Sequence, residues 1–108
     1  MVQVLTINNP LVDRVVRSIA EDIHPERIIL FGSHARSETH SGSDIDLLLI
    51  YDGPLSKREL HERVLNLFDS RHVPIDVFVL SSEEWTNLKP IANTIAREAD
   101  ETGIVCYG

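Results

Sequence analysis

The stretch that decides the fold is LFGSHARSETHSGSDIDLLLIYDG, residues 30–53. An apolar strand pattern runs into Gly32, a polar loop follows, and a second apolar pattern, Ile45–Tyr51, starts directly after Asp44 and contains Asp46. A run that is apolar on both faces is typical of a central strand covered on both sides. Carboxyl groups are costly to bury there unless a partner offsets their desolvation. The stretch therefore predicts a central strand whose acids have a functional reason.

Patterns on either side alternate between helix and strand. Asn9 followed by Pro10 is a typical helix start, because asparagine caps free N–H groups and proline lacks the N–H that would stay unpaired. Ser81 with Glu84 three residues later has the form of a capping box. The predicted helices begin at Pro10, Ser33, Ser56, Ser81 and Pro90. The last of these helices has Ile91, Ile95 and Ala99 on one side and is expected to stop at Gly103. The predicted strands are Arg27–Phe31, Ile45–Tyr51, Pro74–Leu80 and Ile104–Tyr107.

This element order predicts an α/β (α+β) fold, a small mixed β-sheet with helices packed on it. The 108 residues fit one domain, 1–108, with a modest core. A net charge of −7 argues against direct binding of nucleic acid or an anionic membrane. The lone Cys106 cannot form an internal disulfide, and the first residues lack a signal-peptide pattern. We therefore expect a cytoplasmic protein.

Three aspartates in strand patterns are the candidate chemical groups. Asp44 and Asp46 point to one face of their strand, about 6–7 Å apart along it. Asp76 lies in a third apolar run, VPIDVFVL. If the strands of Asp46 and Asp76 are neighbours, three carboxylates meet at one edge and repel each other unless a cation lies among them. Oxygen ligands alone favour Mg²⁺ or Mn²⁺, and Mg²⁺ is commonly shared between carboxylates and substrate phosphates.

Gly32 and Ser33 supply the features of a phosphate site. Glycine lets the backbone approach a phosphate closely, the serine hydroxyl can donate to a phosphate oxygen, and a helix over Ser33–Arg36 would favour negative charge at its start. Together with the acids, this pattern indicates metal-assisted phosphoryl or nucleotidyl transfer. In isolation, the Gly-Ser pair is also typical of an ordinary strand-to-helix turn, Asp44 of a turn residue, and Arg36 of a surface ion pair.

The spacing of these residues resembles a known signature. Gly32-Ser33, ten intervening residues and then Asp44-Ile45-Asp46 is similar to the signature of the nucleotidyltransferase superfamily related to DNA polymerase beta. The segments GSHARS, SDIDLLLI, PIDVFVL and GIVCYG resemble the minimal nucleotidyltransferases, the MNT antitoxins that pair with HEPN toxins. The resemblance runs from about Pro10 to the C-terminus, and it implies a single minimal nucleotidyltransferase domain.

The resemblance implies a role for each matching position. Gly32 and Ser33 would hold the triphosphate, while Asp44 and Asp46 would bind the metal ions. Asp76 would complete one metal site and help to deprotonate the incoming hydroxyl.

The resemblance also implies that Ser43 contacts the nucleotide, while Arg36 is a candidate contact to a nucleotide phosphate or to the partner. Ser37 departs from the pattern, since many relatives have glycine there, which bears on loop flexibility or nucleotide fit.

The activity implied by the resemblance is transfer of AMP from ATP, with two Mg²⁺ ions, to a hydroxyl, expected to be a tyrosine of a HEPN ribonuclease. The chain would then be the antitoxin of a type VII-like toxin–antitoxin pair and form a hetero-oligomer with its partner. Two alternatives stay open: a catalytically silent antitoxin that neutralises its partner by binding alone, and a small-molecule nucleotidyltransferase. Substitution of the acids separates catalysis from binding.

Overall fold

The fold is given by a computed structural model that describes residues 9–33, 35, 44–68 and 73–108. Helices and strands alternate along most of the chain, as the sequence predicts. Within the described residues the elements are α1 (Pro10–Ile23), β1 (Arg27–Phe31), β2 (Ile45–Ile50), α2 (Lys57–Leu67), β3 (Ile75–Leu80), α3 (Ser82–Leu88), α4 (Ile95–Thr102) and β4 (Ile104–Tyr107).

The strands form one mixed sheet in the order β3-β2-β1-β4. β1 is antiparallel to both β2 and β4, whereas β2 and β3 run parallel. The parallel pair is connected through α2, as a parallel connection requires a crossover. The predicted fold class, a small mixed sheet with helices packed on it, is confirmed.

The first helix shows how the local sequence defines an element. The Asn9 side chain accepts hydrogen bonds from the backbone N–H groups of Leu11 (3.1 Å) and Val12 (3.2 Å), and Pro10 occupies the first helical position. His24 ends the helix in the left-handed conformation, with φ of 53°. The face toward the sheet is fully apolar and buried: Val12, Val15, Val16, Ile19, Ala20 and Ile23. Such a stripe binds the helix to the sheet through apolar burial.

Each face of the sheet has its own apolar cluster. α1 and α2 cover the face that carries Leu47 and Leu49 of β2, and Cys106 of β4 is buried there. α3 and α4 cover the opposite face, where Leu48 and Trp85 are buried. Because alternate residues of β2 enter opposite clusters, nearly the whole strand is buried. This explains why its sequence is apolar on both faces.

The helix predicted to start at Pro90 begins later. Thr94 is the N-cap, since its hydroxyl accepts a hydrogen bond from the backbone N–H of Arg97 at 3.1 Å. The preceding Asn93 has φ of 66°, which breaks a helix running through it. Ile91 is therefore outside the helix and half exposed, at 50%. The predicted stop at Gly103 is confirmed, because its N–H bonds to the carbonyl of Ala99.

No helix in the described ranges combines the length and the apolar character needed to cross a bilayer.

Candidate functional site

One end of the sheet brings three of the predicted residues together. Asp46 of β2 is paired in register with Asp76 of β3 on one side and with Phe31 of β1 on the other. Asp44 lies directly before β2, where the N–H of Ile45 donates to the carbonyl of Pro74 at 2.8 Å. That bond joins the beginnings of β2 and β3. The neighbouring strands that the acid-cluster hypothesis required are therefore present.

Gly32 follows β1 and lies against the half-buried Asp46. Its φ of 74° belongs to the left-handed region that favours glycine. A Cβ atom at this position would fall onto the Oδ2 atom of Asp46 and would lie 3.2 Å from the Cγ atom. The turn after β1 therefore needs glycine for its backbone conformation and also for the close approach of the Asp46 carboxylate.

Asp44 and Asp76 form an electrostatically coupled pair at this end of the sheet. Both side chains are exposed. Partial desolvation, followed by repulsion from Asp44 and a side-chain hydrogen bond to it, raises the pKa of Asp76 above its ordinary value. The nearby charge of His61 acts in the opposite direction and lowers the pKa of Asp76. A carboxylate with a raised pKa accepts a proton more readily than an ordinary one.

An aromatic pair lies on the same sheet face as Asp46 and Asp76. Phe31 and Phe78 approach to 5.7 Å between ring centroids, with the rings tilted by 54°. Phe31 is buried, whereas Phe78 is 36% exposed. Because Phe78 follows Asp76 by two residues on β3, its ring and the carboxylate project from the same face. The acids therefore border an apolar surface.

The acids fit a metal site that is completed by substrate. In the part of the chain that the structure describes, no group of three or more His, Cys, Asp or Glu side chains is arranged to hold an ion by itself. The coupled pair Asp44 and Asp76, with Asp46 in register beside it, supplies carboxylate oxygens at one sheet end. Mg²⁺ is typically held by one or two carboxylates together with substrate phosphates. The donor set agrees with that arrangement.

Two predicted nucleotide contacts, Arg36 and Ser43, lie outside the described residues, as does Ser37. Of the short helix predicted over Ser33–Arg36, residues 34 and 36 also lie outside the described residues. Ser33 itself is described and is half buried in the turn that follows β1.

Sequence reasoning missed two residues at this site. No sequence motif singles out His61, which is exposed on α2, yet its charge reaches Asp76. Phe78 was assigned to a strand without a role. The period of two along β3 places Phe78 on the face of Asp76, so a signal existed for it. The approach of His61 depends on how α2 packs on β3, which has no local signal.

Comparisons with known proteins show sequence similarity over most of the chain. Residues 12–100 match the family model described as nucleotidyltransferase domain. A protein of Methanocaldococcus jannaschii, named as a candidate protein adenylyltransferase, is 33% identical over 66 residues, which make up 61% of this chain and 67% of that protein.

Two solved structures are similar to the fold. A candidate nucleotidyltransferase from Sulfolobus solfataricus has a TM-score of 0.59 at 20% identity, covering 89% of this chain and 76% of that one. A toxin–antitoxin structure with AMP-PNP has a TM-score of 0.58 at 19% identity, covering 94% of this chain and 74% of that one.

Proposed function

This chain belongs to the nucleotidyltransferase domain family, and on that premise we propose that it is a Mg²⁺-dependent enzyme that transfers AMP from ATP to a hydroxyl of a partner protein. The observation that carries the proposal is the pairing of Asp46 with Asp76 in register, with Asp44 coupled to Asp76. The name of the archaeal relative, a candidate protein adenylyltransferase, supports a protein as acceptor.

The residues at the sheet end divide the work between them. Gly32 and Ser33 would hold the triphosphate, with Arg36 and Ser43 as further nucleotide contacts. Gly32 leaves the space that lets Asp46 stand directly against the turn. Asp44, Asp46 and Asp76 would hold the Mg²⁺ ions. Bound Mg²⁺ would neutralise phosphate charge and favour ionisation of the acceptor hydroxyl.

Asp76 is the proposed proton acceptor. The acceptor oxygen forms a bond to the α-phosphorus of ATP, and the bond from that phosphorus to the bridging oxygen of the β-phosphate breaks. Pyrophosphate leaves with the electron pair, and the hydroxyl proton moves to the Asp76 carboxylate. Partial desolvation and repulsion from Asp44 raise the pKa of Asp76, a direction that favours proton acceptance.

The proposed partner is a HEPN toxin, and the proposed acceptor is one of its tyrosines. This step rests on the resemblance of GSHARS and PIDVFVL to minimal nucleotidyltransferases. The similar fold of a toxin–antitoxin protein bound to AMP-PNP supports it. The net charge of −7 favours a partner with a basic surface.

Intact-mass spectrometry tests the proposal. The product of the neighbouring gene is incubated with this protein, ATP and Mg²⁺, and we expect its mass to rise by one or more adenylyl groups. The Asp44→Ala/Asp46→Ala variant should give no increase, whereas Asp100→Ala, which changes an exposed acid of α4, should act as wild type.

No mass change, with a stable complex in both samples, would replace this proposal with a module that masks its partner by binding alone. Transfer of AMP to a small hydroxyl compound in place of the protein would point to the small-molecule alternative.

A further inference from the structure

We infer that the outer edge of β3 is the docking site for an extended segment of the acceptor protein, which joins the sheet as an added strand and places its hydroxyl side chain beside Asp76. The inference rests on the proposed function and adds how the protein substrate is recognised. Strand addition to an exposed sheet edge is a general mode of peptide recognition, in which backbone hydrogen bonds hold the segment.

The backbone of β3 offers such an edge. Within the described residues, β3 pairs with β2 and stands at the end of the sheet order. The carbonyls of Pro74 and Leu80 accept hydrogen bonds from the β2 side. Since backbone groups alternate in direction along a strand, those of the odd-numbered residues Ile75, Val77 and Val79 point away from β2. These groups form a ladder for one more strand.

An apolar groove of about 290 Å³ follows this edge. Phe78 is 36% exposed and Ile95 of α4 is 38% exposed beside it. The groove is lined by Phe78, Leu80 and Ile95 on one side of the edge and by Lys57 and His61 of α2 on the other. A strand edge without a neighbouring strand, beside exposed apolar side chains, is a hazard for aggregation unless something covers it. A segment with apolar residues at alternate positions would cover both the backbone edge of β3 and the exposed apolar side chains.

The register connects this edge to the chemistry. Neighbouring strands lie about 4.7–4.9 Å apart, and paired side chains on one face have Cβ atoms about 4.5–5.5 Å apart. A hydroxyl residue paired with Asp76, or one diagonal position away, therefore projects over the sheet face that carries Asp46 and Asp76. Docking on β3 thus delivers the acceptor to its proton acceptor without a separate pocket.

Charge favours a foreign segment over a second copy of this chain. Each copy carries a net charge of −7, so edge-to-edge pairing of two copies is opposed by repulsion. A segment from a basic protein is attracted instead. The occupant is therefore an extended, alternately apolar segment of a basic partner with one hydroxyl side chain facing Asp76.

The test compares Val79→Pro with Val79→Ala in the AMP transfer assay on the neighbouring gene product. Proline removes the outward N–H of Val79, and edge strands tolerate proline where the N–H faces solvent. Alanine keeps that N–H while removing more of the half-buried side chain. We expect KM for the protein acceptor to rise about tenfold in Val79→Pro relative to Val79→Ala, as for the loss of one backbone hydrogen bond with a steric clash. The two Val79 variants should have the same kcat and the same rise in melting temperature on addition of ATP and Mg²⁺.

A second pair of variants tests the groove. Ile95→Lys should raise KM, whereas Ile104→Lys, which changes an exposed residue of β4 at the opposite edge of the sheet, should not. Amide hydrogen exchange tests the edge in the wild-type complex without ATP, so that no AMP is transferred. The amides of Ile75, Val77 and Val79 should exchange more slowly when the partner is bound.

The outcomes separate the two proposals. Equal KM values for the two Val79 variants, with no added protection of those amides, overturn the edge inference while the proposed function stands. Absence of AMP transfer by wild type contradicts the proposed function. A concentration-dependent dimer that Val79→Pro abolishes would assign the edge to a second copy and overturn the inference.

Discussion

The Oδ2 atom of Asp46 occupies the space that a Cβ atom on Gly32 would need. Two elements that are distant in sequence, the turn after β1 and the start of β2, therefore fit only because one side chain is absent. The same glycine has φ of 74°, so both the backbone and the contact require it. The close approach holds the Asp46 carboxylate beside the turn that we propose as the phosphate site.

Gly32→Ala is expected to destabilise the protein by about 1–3 kcal/mol, the range for strain of this kind. The free energy of unfolding from urea titration measures it. In the double variant Gly32→Ala/Asp46→Ala the clash is relieved, so the total loss should be smaller than the sum of the single losses. Additive losses would mean that Asp46 does not restrict the turn.

Mg²⁺ with ATP is expected to raise the melting temperature of wild type, because a ligand that binds the folded state stabilises it, by about 2.7 kcal/mol at a hundredfold excess over Kd. Asp44→Asn or Asp46→Asn should lose this gain. Differential scanning fluorimetry with and without nucleotide measures it, and Asp100→Asn is the matched control. An equal gain in all variants would remove these acids from the nucleotide site.

Asp76→Asn is expected to raise the melting temperature at neutral pH without nucleotide. The folded state raises the pKa of Asp76 above the ordinary 3.8. At pH values between 3.8 and the raised pKa of the folded state, the folded protein keeps a proton on Asp76 that the unfolded chain has lost. The free energy of unfolding therefore falls as the pH rises through this range, and it stays lowered at higher pH.

The gain from Asp76→Asn should therefore disappear at pH values below 3.8. It should stay within about 0.5 kcal/mol, since exposed charges are screened by solvent. Melting temperatures across this pH range measure it. A destabilised Asp76→Asn at neutral pH would show that the carboxylate contributes favourable contacts that outweigh the repulsion from Asp44.

Ser81→Ala is expected to cost about 0.5–2 kcal/mol, the usual loss for an N-cap. The Ser81 hydroxyl accepts from the N–H of Glu84 at 3.1 Å, and the Glu84 carboxylate accepts in return from the N–H of Ser81 at 2.9 Å. Fluorescence of the single tryptophan, Trp85 in the same helix, reports unfolding. Ser82→Ala is unsuitable as a control because it would remove the hydrogen bond that the Ser82 hydroxyl donates to Asp52. Thr86→Ala, which changes an exposed residue of α3, serves instead.

Local rules predicted most of the elements because the interactions that define them span few residues. The capping box of Ser81 and Glu84 and the proline-led start of α1 are complete within one helical turn. The same rules misplaced the start of α4. There, Pro90 and the apolar spacing of Ile91 and Ile95 suggested a helix, but the left-handed Asn93 and the Thr94 cap determined its first residue.

The sequence by itself determined that acids stand inside apolar strands and that Gly-Ser precedes them at a fixed distance, because strand period and residue type are local properties. Only the tertiary structure decided that β2 and β3 are neighbours with Asp46 opposite Asp76, and that β3 stands at the end of the described sheet. Strand order and register arise from the burial of apolar faces contributed by residues far apart in the chain, and a slip of one residue would turn every side chain to the other face.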